Sequence, residues 1–183
     1  MQAIDIDDNV LVKKAQGGNV DAIGELYDRH HAQMFRYVWS RVGERPLAED
    51  LTGELFTRMV SNLASYREQN VPFRAWLYRI ARNLITDHYR KEGGKRTVPL
   101  TAAADVPVNG RGPAAVVEQK ITMDAIEMAL HQLDPVQREV VLLRFVVGLP
   151  LHEVAHAMDK SVAAVKSLQH RGLKALRVAL QTV

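Results

Sequence analysis

The stretch LHEVAHAMDKSVAAVKSLQHRGLKALR, residues 151–177, decides how this chain is read. A short segment with helical apolar spacing, LHEVAHAM, is followed by Asp159, Lys160 and Ser161, and then by a longer segment that Ser161 can cap. That is the pattern of a helix-turn-helix. Val154, Ala155 and Met158 are expected to pack inward from the first helix, and Val162, Val165, Leu173 and Leu176 from the second, with the small Ala155 allowing close approach. Ala163, Lys166, Ser167, His170, Arg171, Lys174 and Arg177 are then left facing outward. A helix entering a DNA major groove needs this order, with short polar groups near base edges first and phosphate-binding cations after them. The competing reading is an ordinary helical hairpin with a solvated basic face.

A second motif overlaps the first. His152-Glu153-Val154-Ala155-His156 matches HExxH, in which histidines at i and i+4 bind zinc and the glutamate acts as general base. A zinc site needs a third protein ligand, and beyond Asp159 only His170 offers one; Asp159 and Val162 stand where the longer metzincin pattern requires glycine and histidine. Neither a metal nor any other cofactor is expected, and the two histidines are read as flanking the DNA-facing edge of a short helix.

Working outward, apolar residues recur at helical spacing nearly everywhere, and no segment sustains the two-residue alternation of a strand. The expected fold class is all-α. A short helix from about Asp8 to Gln16 ends at Gly17-Gly18, and Asn19 caps a long one to about Val42, stopped by Gly43. Pro46 suits the first turn of a third helix through about Ala64, whose stripe Leu47, Leu51, Leu55, Met59 and Leu63 is expected to be core. Pro72 opens a fourth helix to about Lys91, with Phe73, Leu77, Ile80, Ala81, Leu84 and His88 on one face and Arg79, Arg82, Thr86 and Arg90 on another. From Glu92 to Pro113 the periodicity collapses into a linker rich in glycine and proline. A second helical group follows: about Ala114 to Gln132, then Asp134-Pro135 as cap and first turn of a helix to Val147, then the helix-turn-helix. The expectation is two small helical domains, 1–91 and 114–183, joined by a flexible linker, 92–113.

Charge is unevenly placed. The net charge is +3, yet residues 72–96 hold seven basic against two acidic side chains, and residues 161–183 hold four basic and none acidic. Two separate basic segments are what a protein meeting polyanions at two surfaces requires. The absence of cysteine excludes disulfides, thiolate metal sites and cysteine nucleophiles. No run approaches the roughly 18 apolar residues of a membrane span, and the acidic start MQAIDIDDNV does not read as a signal peptide. A cytoplasmic protein without membrane insertion is expected.

Four stretches carry a family resemblance: ELYDRHHAQMFRYVWSRVG (25–43), AEDLTGELFTRMV (48–60), FRAWLYRIARNLITDHYRK (73–91) and LDPVQREVVLLRFVVGLPLHEVAHAMDKSVAAVKSLQHRGLKALR (133–177). In order and spacing they resemble the extracytoplasmic-function (ECF, group IV) sigma factors of bacterial RNA polymerase, a branch of the sigma-70 family. The resemblance implies a σ2-like four-helix domain that holds the β′ clamp helices of core polymerase and captures the melted −10 element. It also implies a σ4-like domain that sets its helix-turn-helix in the −35 major groove and rests on the β flap, and an anti-sigma factor as a further partner. Matching the core-binding helix, Asp50, Leu51, Glu54 and Phe56 are expected to face polymerase. Gly53 stands where that motif usually has glutamine, and Asp159 where most members carry glycine, an acceptable exchange because aspartate tolerates left-handed backbone angles.

On this reading the fourth helix meets single-stranded promoter DNA. Phe73 and Trp76 offer planar surfaces beside the loop Arg67–Val71, which includes Asn70, while Arg79, Arg82, Asn83, Asp87 and Arg90 supply polar contacts. Against this, Phe73 and Trp76 can instead be core, and Asn83 and Asp87 at i, i+4 can pair with each other. The −35 set is Ser161, Ala163, Lys166, Ser167, His170, Arg171 and Lys174. No catalytic residue and no small-molecule substrate are expected. A stand-alone helix-turn-helix regulator is the alternative, and the AEDLTGELF and FRAWLYRIARNL stretches argue against it; a purely structural helical adaptor leaves both basic segments unexplained.

Overall fold

Each helix boundary has a local chemical cause. In the computed structural model, which describes residues 7–67, 71–93 and 128–181, helix α1 (Asp8–Gln16) starts at Asp7, whose carboxylate accepts from Asn9 N, and ends at Gly17-Gly18. Helix α2 (Val20–Val42) starts at Asn19, whose side chain accepts from Ala22 N at 2.9 Å, and stops at Gly43 in the left-handed region at φ 77°. Helix α3 (Arg45–Asn62) has Pro46 in its first turn and tightens into a 3-10 turn, Leu63–Ser65, before α4 (Phe73–Lys91) begins after Pro72. These elements fall in the first of two compact units, Met1–Thr97 and Val98–Val183.

In the first unit α2, α3 and α4 pack on one another and α1 lies against α2 and the 3-10 turn. The core holds Leu11, Leu26, Met34, Leu55, Met59, Phe73, Leu77, Tyr78 and Ile85, all fully buried. Each contributes roughly 1.5–3 kcal/mol by leaving water. The α3 stripe departs from the expectation: Leu55, Met59 and Leu63 are buried, but Leu47 and Leu51 are only half-buried, and Ala48, Thr52 and Phe56 take the inward positions. A strict i, i+4 row drifts around a helix of 3.6 residues per turn, so its upper end rotates off the core face. Ile80 and His88 of α4 are likewise half-buried, while Ala75, Tyr78 and Ile85 are inside.

In the second unit, the expected helix from Ala114 lies outside the described residues as far as position 127, as does the linker from position 94. Asp134 caps α5 (Pro135–Val141), accepting from Val136 N at 2.9 Å and Gln137 N at 3.4 Å. The helix continues as one π turn, Leu142–Val146, rather than running on regularly to Val147. Helices α6 (Leu151–Met158) and α7 (Val162–Leu180) follow. The Arg138 guanidinium donates to Leu130 O and His131 O, both at 2.7 Å, tying the chain ahead of α5 to its first turns. Gly172 is where α7 crosses α5: a Cβ there would lie 3.1 Å from Val141 Cγ2 and 3.4 Å from the Gln137 carbonyl oxygen.

Two inward assignments on α7 are corrected. Val162 is 47% exposed and Leu173 39% exposed. The packed stripe runs instead through Val165, Gly172 and Ala179, with Ala175 and Leu176 against Leu130, Leu133 and Val141. Positions 165, 172, 176 and 179 share one face at 3.6-residue spacing, whereas 162 and 173 fall beside it. Val154, Ala155 and Met158 of α6 are buried as expected.

Candidate nucleic-acid and polymerase interfaces

The turn between α6 and α7 builds the reading head. Asp159 takes the left-handed conformation, φ 53° and ψ 50°, and the next amide, Lys160 N, donates back to Ala155 O at 2.9 Å, closing α6. Ser161 then accepts from Ala164 N at 3.2 Å and starts α7 in a new direction. Ser161, Ala163, Lys166, Ser167, His170, Arg171, Lys174 and Arg177 are all exposed. The Ser161 oxygen is already used as a cap, and the Ser167 hydroxyl donates to Ala163 O at 3.1 Å. Lys160, absent from the expected set, is exposed at the start of the same helix; its place in the turn was the signal for it.

The HEVAH residues lie on α6. His152 is exposed, His156 half-buried, and Glu153 buried. Among the described residues no three His, Cys, Asp or Glu side chains gather as a metal-binding group.

On α4, Arg79, Asn83 and Arg90 are exposed and Arg82 half-buried, so i, i+3, i+4 and i+11 positions form one polar face. Asp87 does not bond Asn83; its Oδ1 accepts from Arg90 Nη2 at 3.0 Å. Trp76 is half-buried, its ring 4.8 Å from Tyr66 and 5.6 Å from Phe73. Phe73 is 1% exposed, edge-on to His30 and Tyr66. It belongs to the core and offers no surface to a base, which corrects the expectation. Asn70 lies outside the described residues.

On α3, Asp50 and Glu54 are exposed and Leu51 is half-buried, at i, i+4 and i+1 on one face. Glu54 pairs with Arg58 at 2.8 Å. Phe56 is corrected as well: at 5% exposure it packs inward, its ring 4.7 Å from Tyr27 and 5.9 Å from His31. It underlies a row of rings spaced four residues apart on α2, Tyr27, His31, Phe35 and Trp39, with the Arg45 guanidinium 6.0 Å from the Phe35 ring centre. The four-residue spacing of these rings is legible in the sequence.

Asp8 is held below its ordinary value of 3.8, chiefly by its hydrogen bond with His30; burial opposes this, and the charges of His30 and Arg29 add to it. No helix among the described residues is long and apolar enough to cross a membrane.

Comparison with known proteins agrees with this geometry. Residues 26–95 match the Sigma-70 region 2 family and residues 129–178 match Sigma-70, region 4. The chain is 38% identical to the ECF RNA polymerase sigma factor BldN of Streptomyces coelicolor over 91% of its length, spanning 63% of that protein. It is 31% identical to the ECF RNA polymerase sigma factor SigD of Mycobacterium tuberculosis, covering 92% of this chain and 82% of the relative. Among solved structures, CnrH in complex with the cytosolic domain of CnrY superposes with a TM-score of 0.70 at 27% identity, covering 96% of this chain and 97% of that one. With region 2 built from α2 to α4, region 4 built around the α6–α7 turn, and a relative 31% identical that is matched over 82% of its length, the chain belongs to the ECF sigma factors of the sigma-70 family.

Proposed function

We propose that this protein binds core RNA polymerase and directs promoter-specific initiation, the first unit engaging the polymerase clamp and the melted −10 strand and the second reading duplex −35 DNA. In residue terms the division is 1–91 for the first task, 92–113 as connection and 114–183 for the second. The observation that carries it is the α6–Asp159–α7 turn, which leaves an uninterrupted polar and cationic face on α7, from Lys166 to Arg177, exposed. Side chains at the front of such a helix reach base edges, and those one or two turns later reach phosphates. The exposed Arg79, Asn83 and Arg90 of α4 lie in the other unit, and donors on one helix face suit a strand already separated from its complement.

The protein performs no chemistry of its own on this reading and needs neither cofactor nor small-molecule substrate; it acts in the cytoplasm, where polymerase is. The solved relative CnrH is held by the cytosolic domain of a second protein, and an anti-sigma factor is proposed as the equivalent partner here. Polymerase binding is assigned to the face of Asp50, Leu51 and Glu54. The purified chain is expected to co-elute with core polymerase on gel filtration, and the double variant Asp50→Ala, Leu51→Ala to weaken that complex. Co-elution untouched by the double change removes this face from the interface.

A further inference from the structure

Helix α1 precedes the residues matched by the region 2 family, and none of the surfaces described above uses it. It is nevertheless fastened at three points. At its start, Asp8 Oδ2 lies 2.8 Å from His30 Nε2 and Asp8 Oδ1 3.4 Å from Arg29 Nη1, both on α2. Along its length, Leu11, Val12 and Ala15 are buried. At its end, Gln16 Nε2 donates to Leu63 O at 2.8 Å and to Tyr66 O at 2.9 Å, acceptors 47 and 50 residues further along the chain.

Those two carbonyls belong to the 3-10 turn where the chain leaves α3 for α4. A primary amide is the side chain suited to them, since one nitrogen carries two N–H donors. Neither acceptor depends on it for satisfaction: Leu63 O also accepts from Tyr66 N, and Tyr66 O from Arg67 Nη1, each at 3.1 Å. Gln16 therefore adds placement more than it prevents a stranded polar group. What it places is Tyr66. The Tyr66 hydroxyl donates to Val71 O at 2.6 Å, and its ring packs on Trp76 at 4.8 Å and Phe73 at 5.7 Å. Direct contacts thus run from Gln16 through Tyr66 to the half-exposed Trp76 ring and to the residues that open α4.

We propose that Gln16 and Tyr66 are positioning residues for −10 recognition, with α1 a strap that sets the Tyr66 peptide and, through it, Val71 and the Trp76 ring. The inference rests on the reading of α4 as the surface for the melted strand. A flipped or unstacked base is captured well only where its stacking partner is already held in place.

The test uses the full chain with core polymerase and a barcoded promoter library, randomised in one arm over the −10 element and in the other over the −35 element, with transcripts sequenced. Wild type enriches defined sequences in both arms. Gln16→Ala and Tyr66→Phe, which delete hydrogen bonds without removing a ring, are expected to lose at least about threefold of the −10 enrichment, with −35 enrichment and core affinity unchanged. Gln16→Glu, an acceptor facing two carbonyls, is expected to lose more than Gln16→Ala. Variants that keep wild-type −10 enrichment, or that lose both arms equally as a folding defect would, overturn the inference while leaving the proposed function standing. If wild type enriches nothing in either arm, the proposed function fails and the inference with it. Should Gln16→Ala fail to fold, Tyr66→Phe decides alone.

Discussion

Asp8 and Gly53 show how single residues set local stability. The Asp8 carboxyl is depressed by its hydrogen bond with His30, against a smaller opposing effect of burial. A group whose acidity is raised by folding contributes stability above its ordinary value of 3.8, and that contribution disappears as pH falls through the lowered value. Asp8→Asn is therefore expected to melt below wild type at neutral pH, with the gap narrowing as pH falls below the ordinary value of 3.8; a gap that does not narrow on acidification contradicts the clasp. Gly53 is exposed in mid-α3, and a Cβ there meets nothing within 4 Å. Gly53→Ala should then gain about 1 kcal/mol of helix propensity in a denaturant titration, and Gly53→Gln nearly as much. Residues of this kind were legible where chemistry is local: Asn19, Gly43, Asp134 and Ser161 cap or stop the helices that their types foretold. Phe56 and Phe73 were not, because a phenyl ring serves a core and a docking surface equally well and only burial separates the two. The Gln16 contacts were illegible for another reason, since periodicity within one helix carries no information about a carbonyl 47 residues away.

At the scale of elements, the boundaries followed from caps and periodicity, and the errors came from assuming too regular a helix. The Leu47–Leu63 row slips off the core because four-residue steps overrun the helical turn, and Leu173 falls outside for the same reason. The π turn Leu142–Val146 has no signature in residue type, being a local underwinding of the helix. Helix α7 makes a graded prediction. Lys166→Ala or Arg171→Ala should relax sequence preference on −35 duplexes, at about 1–3 kcal/mol if the lost contact is a good base pairing. Lys174→Ala or Arg177→Ala should weaken all duplexes alike and lower the salt slope by about one counterion. Anisotropy titrations on cognate and scrambled duplexes across salt concentrations separate these, and equal behaviour of all four variants contradicts a front-to-back ordering of the helix.

At the scale of the whole molecule, the two basic segments in a chain of net charge +3 fall in different compact units, the described cations of one lying on α4 and those of the other on α7. On the proposed function these units read DNA in two states, duplex and melted. The most direct test is permanganate footprinting of the melted region in holoenzyme–promoter complexes, run beside −35 duplex binding, for Asn83→Ala and Lys166→Ala on a promoter recovered by the wild-type holoenzyme. Asn83→Ala is predicted to bind −35 duplex normally and to lose permanganate reactivity around −10, because α4 is proposed to meet DNA only after the strands part. Lys166→Ala is predicted to lose −35 binding, and a premelted −10 bubble should restore its complex but not that of Asn83→Ala. If both variants lose the same step and the bubble rescues both or neither, the division of labour between the two units is wrong.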